Sequence, residues 1–331
     1  MSFLLFFSGM KIYCYCMSAV NAVSKCVAAS LLNSNQTQQG GGMFPTILFS
    51  LMLFSVTSAC VLSQDLDGKP YTPGVDANID VYFCDWHDSM PVQTHGSLIE
   101  RAILTQGDPL NPPAKGAVLK YLNRLTHAIL STGSTTQPTT LKGEQEVIYI
   151  LSGKGAIQAK NGKPSDLYPG IAVLIPAGLE FTMKASPEAP LTMYLVSEPI
   201  PEGFRPNPEL LVHDENTTSV SSTDVHWVHI WKGLFHTGNG LGTIESMGTC
   251  TFDPMTIGHP HSHEEGVEEI WAEVSGRSIA FIGKQIRWQE PGVAYLIPPD
   301  GKTPHSNINP CKDTQIKLLY IARYRDHAVR P

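Results

Sequence analysis

Four side chains have the types and spacing for metal chemistry. His261, His263 and Glu269 lie within GHPHSHEEGVEEIWAEVSG at 258–276. His305 follows in PGVAYLIPPDGKTPHSNIN, which ends at Asn309. Histidines at i and i+2 of an extended segment face the same way, because side chains alternate along a strand. A carboxylate opening the next strand and a histidine on a later one can converge on that face. Three imidazoles and one carboxylate suit a divalent first-row transition metal, one of Fe, Mn, Ni, Cu or Zn. Two cis positions would stay open for substrate or dioxygen.

Such a set needs short strands to hold it, and the chain supplies them twice. EVIYILSGKG at 146–155 parallels EIWAEVSGRS at 269–278, and PGIAVLIPAG at 169–178 parallels PGVAYLIPPD at 291–300. The repeat distance, 123 residues between Glu146 and Glu269, is too long for a solenoid and fits one small barrel per unit. From Ala117 onward β-rich runs alternate with Gly/Pro turns, which predicts an all-β chain.

These residues resemble the two motifs of the cupin superfamily. His261-Ser-His263, Glu269 and Gly276 follow the order of the first motif, with one residue more than usual between His263 and Glu269. The regular distance from Glu269 to Gly276 selects Glu269 over Glu268 as the carboxylate. Gly292, Pro298, His305 and Asn309 follow the second motif, with extra residues in the PPDGKTP turn. The resemblance covers roughly residues 117–325. It implies a bicupin, two jelly-roll barrels with one divalent transition metal in the second, held by His261, His263, Glu269 and His305. In the first lobe Glu146 matches Glu269, but Pro138 and Thr140, or Thr139 and Leu141 on the shorter spacing, stand where the histidine pair belongs. Phe181 replaces the second-motif histidine. That lobe is therefore expected to be metal-free. His259 shares the parity of His261 and His263 and is a candidate to line the mouth of the site; the remaining histidines, His95 among them, carry no metal spacing. Glu265 and Glu268 read as solvated loop acids.

The expected domains are an export signal and upstream sequence at 1–60, an arm and short helix at 61–116, and lobe one at 117–200. A linker at 201–225, lobe two at 226–325 and a tail at 326–331 complete the chain. Ser97-Leu-Ile-Glu100 reads as a capping box, which predicts a helix ending near Gly107. The apolar stretch after Met43 has the length of a signal-peptide core. Ser58-Ala59-Cys60 resembles the end of a bacterial lipobox, with Thr57 where Leu is usual. The expectation is a start at Met43 and export to the periplasm or beyond, with Cys60 as a lipidated membrane tether. A longer signal from Met1 is the alternative. Cys84, Cys250 and Cys311 give no disulfide framework.

Net charge is −7 with no basic run, so nucleic acid is not an expected partner. The expected partners are a small molecule and further copies of the chain. The cupin fold does not fix a reaction. The leading expectation is a metal-dependent enzyme acting on a small oxygen-rich substrate: a sugar acid, a carboxylate or a catechol-like compound. Dioxygenase, isomerase and lyase chemistry all stay open. The alternative is a non-catalytic metal- or carbohydrate-binding bicupin. Strand alternation from Glu269 also sends Trp271 and Glu273 inward. Glu273 is the one candidate catalytic acid, either supporting a ligating imidazole or titrating with a raised pKa.

Overall fold

The computed structural model describes residues 76–221 and 229–323. The expected export signal, Cys60 as expected tether and the expected tail lie outside the described residues. Within them the chain is all β apart from three single-turn 3-10 helices. Each lobe is a pair of facing sheets, as a jelly roll requires. In lobe one the larger sheet runs Leu211–Asp214, Ile171–Ile175, Glu144–Ser152, Leu191–Pro199, Arg124–Leu130, Leu98–Gln106, Val92–Thr94. Its smaller sheet runs Thr139–Thr140, Glu180–Ala185, Gly155–Ala159, Ser165–Leu167. In lobe two the larger sheet runs Phe83–Asp85, Val293–Leu296, Glu268–Ser275, Ile316–Arg323, Ser246–Phe252, His229–His236. Its smaller sheet runs Thr256–Ile257, His305–Asn309, Ser278–Ile282, Gln285–Gln289.

The repeated apolar runs are explained by burial on both strand faces, which gives continuous rather than alternating hydrophobicity. Ile148 and Ile150 point into lobe one with Phe181 and Met183. Val147 and Tyr149 point the other way, into a core shared with Ile270, Ala272, Leu296 and Leu319 of lobe two. Trp271 faces the interior of lobe two with Tyr295 and Leu318. The two large sheets thus pack back to back and the two interiors face outward from that seam.

The arm and the linker are less separate than expected. Phe83–Asp85, which precedes lobe one, pairs antiparallel with Val293–Leu296 of lobe two. Leu211–Asp214, which precedes lobe two, pairs antiparallel with Ile171–Ile175 of lobe one. Each lobe therefore receives an edge strand from the segment that leads into the other, which covers an otherwise open sheet edge. Lobe one also begins earlier than residue 117, because Val92–Thr94 and Leu98–Gln106 belong to its sheet.

The expected helix after Ser97 is instead the strand Leu98–Gln106. Its β-branched Ile99, Ile103 and Thr105 favour that outcome. The capping groups find tertiary partners: Ser97 Oγ donates to the Thr135 carbonyl, and Glu100 accepts from Thr94, Thr126 and Arg124. Those bonds outcompete a local cap, whose contribution is only about 1 kcal/mol.

Buried carboxylates tie the lobes together. Glu198 accepts from the backbone N–H groups of Gly242, Thr243 and Ile244 and from Gln145 Nε2. At the position that matches Gln145 in the repeat, Glu268 accepts from the N–H groups of Lys120 and Tyr121, and Arg323 stacks over the Tyr121 ring. Glu268 is therefore not the solvated loop acid expected of it. It is 3% exposed, and burial pushes its pKa up to about 7 against the pull of the two N–H groups. Glu265 is exposed, as expected.

Gly292 shows why the motif needs a glycine there. Its φ is +97°, and a Cβ would lie 2.2 Å from the Trp86 ring, while its N–H donates to the Tyr194 hydroxyl. Gly292→Ala is expected to destabilise the protein by about 2 kcal/mol, the left-handed penalty plus part of a clash. Thermal unfolding checks this; an unchanged Tm would show that Trp86 yields freely.

Candidate metal centre

His261 and His263 lie on the extended stretch after Thr256–Ile257, and His305 opens the strand His305–Asn309. A β-bridge locks the first to the last: the His305 N–H donates to the His261 carbonyl at 2.9 Å and the reverse bond is 3.3 Å. Glu269 stands at the start of Glu268–Ser275, with its carbonyl accepting from the Ile297 N–H. The two longer loops pack against each other, since the Gly266 N–H donates to the Pro299 carbonyl. The extra residues thus leave the strand ends in place. Asn309 Nδ2 donates to the carbonyls of Phe252, Asp253 and Thr314, which makes it a structural clasp beneath His305.

The structure brings all four expected residues together. The ligating atoms of His261, His263 and His305 lie within 4.8 Å of one another. His263 Nε2 is 2.8 Å from Glu269 Oε2, and His305 Nε2 is 3.0 Å from Glu269 Oε1. Neighbouring donors around an ion at about 2.1 Å are separated by roughly 3 Å. His305 is 1% exposed, yet neither of its ring nitrogens makes a hydrogen bond. Its approach to Glu269 is close but lacks hydrogen-bond alignment. Two ligand atoms this close without a hydrogen bond between them fit a cation placed between them.

Protonation favours the same reading. His261 Nδ1 lies 2.8 Å from the His259 carbonyl. A carbonyl only accepts, so Nδ1 carries the proton and Nε2 keeps its lone pair. Burial holds the His261 pKa down to about 4. Burial alone would raise the Glu269 pKa, but His305 and His263 hold it far below the usual carboxylate range. Trp271 Nε1 donates to Glu269 Oε1 at 2.6 Å and fixes the carboxylate plane. His259 itself is exposed and stacks on the His261 ring, 5.8 Å between centroids.

Glu273 faces inward as the alternation requires and is fully buried. It does not support an imidazole. Its partner is Ser278 Oγ, which donates to Oε2 at 2.6 Å, while Oε1 has no hydrogen bond. Burial pushes its pKa up to about 8, so it is a neutral acid at pH 7.

Lobe one departs from expectation at His95. Glu146 sits where Glu269 sits, and Phe181 is buried in the lobe-one core. An imidazole nevertheless reaches Glu146: His95 Nε2 is 3.3 Å from Glu146 Oε2. His95 comes from the turn between Val92–Thr94 and Leu98–Gln106, outside both motifs. No fixed spacing relates it to Glu146. The one signal was the His95-Gly96 pair between two β-rich runs, which marks a turn but not its destination.

A separate cleft of about 680 Å³ lies between Asp108, Lys120 and Tyr121 of the first half and Glu264–Gly266 of the second. None of the three clustered histidines lines it.

No family model and no curated protein matches the chain. Solved structures do. A glyoxylate-induced protein from Pseudomonas aeruginosa aligns with TM-score 0.58 and 12% identity, over 80% of this chain and 96% of that one. A Bacillus subtilis oxalate decarboxylase variant gives TM-score 0.56 and 10% identity, over 80% and 81%. Vicilin from hazelnut, Corylus avellana, gives TM-score 0.56 and 10% identity, over 73% and 85%. At such identities the likeness is one of fold, and the fold is that of the cupins.

Proposed function

We propose that this chain is a bicupin whose second lobe binds one divalent transition metal through His261, His263, Glu269 and His305, and that it is a metal-dependent enzyme acting on a small oxygen-rich substrate. The observation that carries this is the convergence of three imidazoles on an ionised, buried carboxylate, with His305 buried and without a hydrogen bond. When bound, the metal would supply Lewis-acid polarisation of a substrate oxygen or activation of dioxygen. The chain's own residues do the rest. His261 is held in the tautomer that offers Nε2, and Trp271 orients Glu269. The His263 side chain, 17% exposed against 1% for His305, marks the side from which a small molecule arrives. Among the fold relatives one is named for decarboxylating oxalate, which makes small carboxylates the first substrates to screen.

The test is metal analysis of the purified protein followed by a screen of small carboxylates, sugar acids and catechols. Turnover that a chelator abolishes and metal restores supports the enzyme. Saturable binding without turnover would leave the non-catalytic binder, and absence of bound metal would overturn both the enzyme and the metal binder, leaving only a carbohydrate-binding bicupin. The chain is further proposed to be exported and tethered through Cys60; intact mass of the native product, showing whether Cys60 is the lipidated first residue, decides that.

A further inference from the structure

The first lobe holds a second group of ligand atoms that the motifs do not describe. His95, Glu100 and Glu146 each place one ligand atom within 4.8 Å of the others. The His95 side chain is 6% exposed and the Glu146 side chain 0%. Both ring nitrogens of His95, and Oε2 of Glu146, are buried without a hydrogen bond. His95 Nε2 approaches Glu146 Oε2 at 3.3 Å without hydrogen-bond alignment. This is the relation that His305 bears to Glu269 in lobe two.

Charge points the same way. Arg124 reaches Glu146 Oε1 at 2.8 Å, Glu144 Oε2 at 2.9 Å and Glu100 Oε2 at 3.2 Å. One guanidinium therefore serves three carboxylates; burial raises the Glu146 pKa and Glu146 raises that of His95 against its burial, so the remaining negative charge is balanced by a proton or by a bound cation. Burying unbalanced charge is costly unless a counter-charge is bound. The hydroxyls of Thr94 and Thr126 orient Glu100, and Arg124 holds the far oxygen of Glu146. Ligating carboxylates characteristically have such outer partners. His95 also sits at φ +45°, in a region that a side chain enters at a cost of about 1 kcal/mol or more. The turn nonetheless directs its ring at Glu146.

We propose that lobe one carries a second divalent-cation site, formed by His95 Nε2, Glu146 Oε2 and a Glu100 oxygen. One imidazole with two carboxylates suits Mn²⁺, Fe²⁺ or Zn²⁺. The nearby guanidinium repels the ion, so this site is weaker than that of lobe two and fills second. The proposal is independent of the lobe-two reading, because it uses none of its residues.

The experiment silences lobe two in the full chain with His261→Ala and His305→Ala, then titrates with Mn²⁺ alone. Electron spin resonance reads free and bound Mn²⁺, and electron spin-echo modulation reads a coordinated nitrogen. The expected result is one bound Mn²⁺ per chain with an imidazole nitrogen signal. Adding His95→Ala should remove that signal and weaken binding at least tenfold. Glu146→Gln, which keeps the side chain's shape, should weaken it similarly, with far-ultraviolet circular dichroism showing that each variant stays folded. No bound Mn²⁺ in the silenced chain overturns the proposal and leaves His95 and Glu146 as a proton-sharing pair. Binding that survives His95→Ala unchanged overturns it as well.

Discussion

Replacing His305 with alanine is expected to weaken metal binding in lobe two by about 10²–10³-fold. Tight zinc-type sites with four ligands bind with roughly 10–16 kcal/mol, so one ligand of four is worth about 2.5–4 kcal/mol. His305 is the informative choice because it is buried, lacks a hydrogen bond and is bridged to His261 through backbone atoms that the substitution keeps. The strand should persist, since Asn309 and the pairing with Ser278–Ile282 are untouched. Chelator competition measures the loss. Free imidazole added to the variant should restore part of the affinity by entering the space left behind, a result that a merely misfolded variant would not give. Retention of wild-type affinity would remove His305 from the ligand set and with it the proposed centre.

The second large effect concerns Glu273 and pH. Its pKa is about 8 in the folded protein against an ordinary 4.5. Below pH 4.5 the group is protonated whether the chain is folded or not, and it costs nothing. Between pH 4.5 and 8 the unfolded chain releases the proton while the folded chain keeps it. Stability from this group therefore falls as pH rises, at up to about 1.4 kcal/mol per pH unit. Glu273→Gln keeps the shape and the acceptor for Ser278 but cannot ionise. The variant should match the parent near pH 5 and exceed it by a few kcal/mol, or several degrees in Tm, at pH 8. Glu268, with its pKa near 7, adds a similar slope to both proteins and cancels in the comparison. Parallel Tm–pH curves for parent and variant would show that Glu273 ionises normally.

The relation between the two lobes gives these numbers a common origin. The position of Glu273 corresponds to Ile150 in lobe one, which is wholly apolar and buried. Lobe two thus carries two carboxylates on one inward strand face with opposite fates. Glu269, beside His263 and His305, stays ionised. Glu273, with a single hydroxyl partner, does not. The same inward strand face, at two positions four residues apart, holds either charge state according to the donors around each carboxylate.

What depends on local spacing was legible in the chain of letters. The i, i+2 histidines, the glycines at turns and the 123-residue repeat are short-range or periodic facts. They prescribed two all-β lobes, the convergence of His261, His263, Glu269 and His305, and the inward face of Trp271 and Glu273. What depends on partners distant in the chain emerged with the folded arrangement. Ser97–Glu100 has the letters of a helix cap, but Thr135 and Arg124 claim its side chains, and neighbouring strands claim its backbone. Glu268 looks like a loop acid until the N–H groups of Lys120 and Tyr121, nearly 150 residues earlier, close over it. His95 lies 51 residues from Glu146 in sequence and meets it because a turn between two strands projects into the lobe. No pattern in the sequence encodes that meeting, because many chain separations can bring a turn to the same mouth. The physical difference is one of range: alternation and turn chemistry are fixed by each residue and its neighbours, whereas burial and charge balance belong to the assembled site.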